Sequence, residues 1–106
     1  MSSPVYVVVQ MTIADRDTFT SDYGKPVMAQ LEGLGARIVA ATGTPRVVEG
    51  RYDRNNTAVI EFPSAEAFDA WYGSEAYAPL KARRLALTEP DTALMMVLPA
   101  FPAASA

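Results

Sequence analysis

The chain contains no cysteine and no histidine. The first absence excludes disulfides, thiolate nucleophiles and iron–sulfur ligation. The second removes the usual general base near neutral pH and the usual haem or zinc ligand. Any chemistry must therefore run on carboxylates, tyrosines, arginines or lysines. Basic charge is also scarce: 9 Lys and Arg stand against 12 Asp and Glu, for a net charge of −3. No field exists to draw nucleic acid or an anionic membrane, and neither is expected as a partner. No apolar run approaches the roughly 20 residues of a membrane helix. The opening Met-Ser-Ser-Pro has no basic region and no cleavage site, so Val5 to Val9 does not read as a signal peptide and a cytoplasmic location is expected.

What is present fits one domain with a single modest core, over residues 1–99 with a tail at 100–106. Val5 to Met11 is β-branched and almost wholly apolar, the pattern of a strand buried on both faces. A sheet with helices on one side only would leave the other face wet, so a second copy of the chain is expected to cover it. Asp15 reads as an N-cap, and Phe19, Tyr23, Val27 and Leu31 at steps of four give the first helix an inward stripe. Gly24-Lys25-Pro26 interrupts that helix and predicts two segments meeting near Gly24. Gly33 and Gly35 end the second. Ala36 to Ala41 predicts a strand that Thr42 to Pro45 bends, with Arg46 to Gly50 continuing it or forming a paired extension.

Thr57 to Phe62 is the next strand, closed by Pro63, which has no N–H for a ladder. Ser64 caps a helix with Glu66 in its first turn and Phe68, Trp71 and Tyr72 on one face. Gly73 ends it, a further helix spans about Glu75 to Leu87, and Ala93 to Leu98 is the last strand. The Phe101 to Ala106 tail is either loose or docked through Phe101 on a neighbour. The order β-α-β-β-α-β predicts an α+β, ferredoxin-like domain with a four-stranded antiparallel sheet.

The string Val59-Ile-Glu-Phe-Pro-Ser64, then Ala70-Trp-Tyr72, Ser74-Glu75 and Tyr77, with Leu80-Lys81 and Arg84 beyond, resembles the DUF1330 family of small bacterial proteins. That family lies within the dimeric α+β barrel superfamily. The resemblance implies a dimer whose sheets meet face to face as an α/β barrel. It implies no particular activity, because the family is defined by a domain of unknown function.

Candidate site residues follow from residue chemistry. Glu61 lies inside an apolar strand and shares a face with Val59, opposite Ile60 and Phe62. Burial there would raise its pKa and make it a general base; the alternative is an ion pair with Arg37 on the neighbouring strand. Arg37 could instead anchor a ligand carboxylate through its planar fork. Tyr23, Trp71, Tyr72 and Tyr77 are helix-borne aromatics, either core or the wall of a small pocket for a flat ligand. Tyrosine hydroxyls are natural donors to a carbonyl oxygen where histidine is lacking. Asp22 adjoins the helix interruption and is a lesser candidate base. Lys81, Arg83 and Arg84 form a basic run that complements the helix dipole, with Arg84 able to turn inward toward a carboxylate. No nucleotide-binding loop is present and no cofactor is expected; Asp53, Asp91 and the glutamates lack a calcium-loop spacing.

Two functions remain open. The preferred one is a cofactor-independent enzyme acting on a small carbonyl or aromatic metabolite by isomerisation, cyclisation or related proton transfer. Monooxygenases, isomerases and cyclases of the superfamily supply the analogy, and fold alone does not select among them. In that reading Glu61 or Asp22 is the base, Tyr23 and Arg37 stabilise the enolate, and Trp71, Tyr72, Tyr77 and Arg84 bind substrate. The alternative is a dimer that binds a small molecule without turning it over. Glu61 discriminates between them: an ion pair remote from any cavity removes the enzyme's best base.

Overall fold

The computed structural model describes residues 3–102. Strand β1 is Val5–Met11, β2 Arg37–Thr42, β3 Asn56–Phe62 and β4 Leu94–Pro99. They form one antiparallel sheet in the order β2-β3-β1-β4. With helices between β1 and β2 and between β3 and β4, this is the split-βαβ, ferredoxin-like arrangement. Period-2 alternation sets the faces. Val5, Val7, Val9 and Met11 point under the helices and are buried, while Tyr6, Val8 and Gln10 point to the opposite face and are half-buried.

Helix α1, Arg16–Phe19, starts at Asp15, whose carboxylate accepts from the Thr18 backbone N–H at 3.2 Å. The expected interruption takes the form of a π turn rather than a gap. Thr20–Gly24 is π-helical, with the Lys25 N–H donating to the Thr20 carbonyl, and α2 follows at Lys25–Gly33. Pro26 cannot donate to the Asp22 carbonyl one turn back, and its ring crowds that carbonyl in a regular helix. The wider turn gives the ring room. Nη1 of Arg83 then donates to the freed Asp22 oxygen at 3.2 Å. Gly35, at φ 74, completes the stop after α2.

Helix α3, Ala65–Tyr72, is capped by the Ser64 hydroxyl, which accepts from the Ala67 N–H at 3.0 Å. Helix α4, Ala78–Ala86, begins three residues after the expected Glu75, because the Ser74 hydroxyl first holds a turn by accepting from the Tyr77 N–H at 3.1 Å. Residues 46–50 are not a strand. Val47 and Val48 have β-branched side chains, but no strand among the described residues pairs with them and both are exposed. Phe101 is 99% exposed on this chain; the rest of the expected tail, 103–106, lies outside the described residues.

The core lies between the sheet and the helices. Phe62, fully buried, anchors it with its ring edge-on to Phe68 and tilted against Trp71, at centroid distances of 5.2 and 5.5 Å. Truncating Phe62→Ala removes this anchor and should lower the unfolding free energy by about 3–5 kcal/mol. Urea denaturation checks this, as a lower midpoint with an unchanged slope.

Candidate functional site

A cavity of about 310 Å³ lies between the first helix and the sheet. Its floor is Val7, Val9, Ala58 and Ile60, and its roof is the π turn and α2. The mouth faces the β2 edge, where exposed Lys25 and Met28 on the helix stand opposite Ile38 and Ala41. The π turn matters here because Thr20, Tyr23 and Gly24 all reach the wall. Trp71 closes the inner end, its indole N–H donating to Gln30 Oε1 at 2.9 Å while Gln30 Nε2 donates to the Ala76 carbonyl at 2.9 Å. Among the described residues, Lys25 is the sole charged side chain on the wall. The lining is otherwise apolar apart from Thr20, Tyr23 and Asn56.

Behind the wall the polar groups form a chain. The Tyr23 and Tyr77 hydroxyls lie 2.7 Å apart, and Nε of Arg84 donates to the Tyr77 oxygen at 3.3 Å. Tyr23 is 8%, Tyr77 0% and Arg84 4% exposed, so the chain is sealed from bulk solvent. Burial, reinforced by Tyr77, pushes the Tyr23 hydroxyl far above its ordinary 10.0, which makes it a hydrogen-bond donor and not a base. Burial pulls the Arg84 guanidinium down, but the tyrosines more than offset this and the net direction is upward. Arg84 therefore stays cationic, and no carboxylate among the described residues lies within ion-pair distance of it.

The structure thus brings together Tyr23, Trp71, Tyr77 and Arg84, with the Tyr72 ring against Tyr77 at 5.7 Å, and sets Asp22, Glu61 and Arg37 apart. Tyr72 stacks on Phe68 and carries the Lys81 ammonium 4.4 Å from its ring centroid, away from the cavity. The Asp22 side chain is exposed and accepts from the Ser21 hydroxyl at 3.0 Å. Glu61 lies on the opposite sheet face. Tyr6, Glu61 and Arg37 are register partners across three strands. Arg37 Nε donates to Glu61 Oε1 at 3.0 Å and the Tyr6 hydroxyl to Oε2 at 2.8 Å. These donors hold the Glu61 carboxyl below its ordinary value, Arg37 first and Tyr6 second. Within one chain the alternative, an ion pair with Arg37, is formed: the side chain is 26% exposed, and two hydrogen bonds to the charged form outweigh the desolvation. Gln30 and the cavity-lining Met28, Ile38 and Ile60 carried no signal in the sequence beyond helix or strand periodicity. No group of three or more Asp or Glu among the described residues could hold a metal ion.

A lowered carboxyl stabilises the fold above its ordinary pKa of 4.5, and that contribution is lost as pH falls through the lower folded value. Glu61→Gln should therefore be less stable than the parent at neutral pH, modestly so because Arg37 is 68% exposed. Urea midpoints of the two proteins should converge as the pH is taken down through the carboxylate range.

The sequence pattern of a family described as a domain of unknown function, DUF1330, matches residues 4–98. No curated protein matches the chain. Among solved structures, RPA0582 of Rhodopseudomonas palustris, a protein of unknown function, is 19% identical with a TM-score of 0.72, covering 92% of this chain and 82% of that one. A Jannaschia protein described as dimeric, ferredoxin-like and of unknown function is 15% identical with a TM-score of 0.72, covering 92% of this chain and 99% of that one. At these identities the two structures speak for the fold alone.

Proposed function

This chain belongs to the DUF1330 family, and from its geometry we propose that it is a homodimeric, cytoplasmic small-molecule-binding protein that holds a compact ligand with an apolar or aromatic body between the first helix and the sheet. The observation that carries the reading is the cavity itself. It is bounded by side chains that are otherwise core, it opens at one edge, and its volume lies at the small end of ligand pockets, about 300–1,000 Å³. The dimer is supported by the outer sheet face, where Leu94, Met96 and Leu98 are 42–43% exposed beside half-buried Val8 and Val59. Such a patch asks for a cover, and the similar Jannaschia protein is described as dimeric.

The enzymatic reading has weaker support. Proton abstraction next to a carbonyl needs a base at the substrate, and the described cavity wall offers a phenol and a mouth lysine but no carboxylate. Glu61 is on the far face, committed to Arg37 and Tyr6. Isomerisation or cyclisation by this chain would have to rest on Tyr23 as an acid.

Trp71 is the sole tryptophan and lines the cavity, so its fluorescence reports occupancy. A neutral aromatic quencher such as para-nitrotoluene should quench it along a saturable isotherm. Ala41→Phe, which projects a ring into the mouth from exposed β2, should weaken that binding by about tenfold or more while leaving the fold intact by circular dichroism. Unsaturable quenching, unchanged in the variant, would refute the pocket as a ligand site.

A further inference from the structure

Asn56 opens β3 and lines the cavity with a side-chain amide. Period-2 alternation puts it on the same sheet face as Ala58, Ile60 and Phe62, which is the helix side. The strand register agrees: Asn56 stands opposite Met11, a buried residue of the inner face that also lines the cavity. A side-chain amide offers two N–H donors and a carbonyl acceptor. In the neighbouring Asn55 both ends are spent, Oδ1 accepting from the Ile13 N–H at 2.6 Å and Nδ2 donating to the Ile13 carbonyl at 2.9 Å. No hydrogen bond among the described residues takes up the amide of half-buried Asn56. Every fully buried side-chain nitrogen or oxygen among the described residues does have a partner. The Asn56 amide is therefore not sealed in the core: it reaches open space, and on this face that space is the cavity.

The other polar groups of the lining are placed differently. Tyr23 shares its hydroxyl with Tyr77, Trp71 gives its N–H to Gln30, and Thr20 is exposed. Charge at the mouth has both signs, since Lys25 is exposed there and Glu32 stands beside it with Met28, Leu31 and Ile38. A charged group drawn into the apolar interior loses its hydration and meets no counter-ion. A pure hydrocarbon strips water from the Asn56 amide and returns nothing. An uncharged group that both accepts and donates exchanges its water for Asn56.

We propose that the ligand is an uncharged molecule with a carboxamide or lactam group at one end of an apolar or aromatic body, and that Asn56 recognises it, amide to amide. Nδ2 of Asn56 donates to the ligand's carbonyl, and Oδ1 accepts from the ligand's N–H. This rests on the cavity being the ligand site.

The test compares two probes of similar shape, para-nitrobenzamide and para-nitrotoluene, by quenching of Trp71 in the parent protein and in Asn56→Leu. The variant keeps the size of the side chain and removes its hydrogen-bonding groups. In a cavity with no partner for it, the carboxamide would lose hydration and nitrobenzamide would be the weaker ligand. The expected result is the reverse, with nitrobenzamide the tighter ligand of the parent. Asn56→Leu should weaken nitrobenzamide by about tenfold or more while nitrotoluene changes by no more than about twofold, which also shows that the variant is folded. In the isotope-labelled parent, nitrobenzamide should shift the Asn56 side-chain amide resonances, a readout that a merely structural role would not move. Nitrobenzamide binding the parent no more tightly than nitrotoluene overturns the amide assignment and leaves the cavity reading standing. So do Asn56 amide resonances that stay in place when nitrobenzamide saturates the site. Failure of both probes to bind the parent overturns the cavity reading and this inference together.

Discussion

Pro26 has no N–H to give the first helix, and much of the site's geometry depends on how the chain accommodates it. A regular helix would press the proline ring against the Asp22 carbonyl. The helix widens instead into the π turn Thr20–Gly24, and Arg83 of α4 takes the carbonyl that the proline leaves over. Two consequences follow. The widened turn puts Thr20, Tyr23 and Gly24 on the cavity wall. The docking of α4 beneath it places the next residue, Arg84, inward against Tyr77. A backbone defect, its repair and the buried polar chain are one construction.

The sheet divides the chemistry of the protein between its two faces. The helix side carries phenols, an indole, a buried guanidinium and aliphatic walls, and the described cavity lining there includes no carboxylate. The outer side carries the Tyr6–Glu61–Arg37 row and an apolar strip that includes Met96 and Leu98. This division is why the geometry favours holding a ligand over proton abstraction. The best carboxylate in the sequence is stabilised in its charged form on the wrong face, and the phenol among the cavity-lining residues, Tyr23, is raised in pKa and no base.

Most of the fold was legible because periodicity and capping are local. The steps of four from Phe19 to Leu31, the parity of Val5 to Met11, and the caps at Asp15 and Ser64 all stand in the structure. Local signals failed where the outcome depended on a distant partner. Val47-Val48 has strand chemistry and no strand to join. The face of Glu61 followed from parity, but its protonation depended on Tyr6 and Arg37, brought alongside by the register of three strands. The aromatic cluster was visible as spacing, yet its partition into Trp71 on the cavity and Tyr72 off it required the packing of α4. A small pocket was expected from the helix-borne aromatics, but its lining and volume could not be read, since empty space is set by how far the helix stands from the sheet and no residue encodes it alone.

The most direct test of the account uses the methionines, which sample both faces of the sheet. Met11, Met28 and Met95 line the cavity, while Met96, one residue further along β4, is turned to the outer face. In a methyl-labelled methionine NMR titration with para-nitrotoluene, the account predicts that the Met11, Met28 and Met95 methyls shift together and saturably while Met96 stays in place. Shifts concentrated at Met96, or none at the three cavity methyls, would contradict a ligand site beneath the first helix.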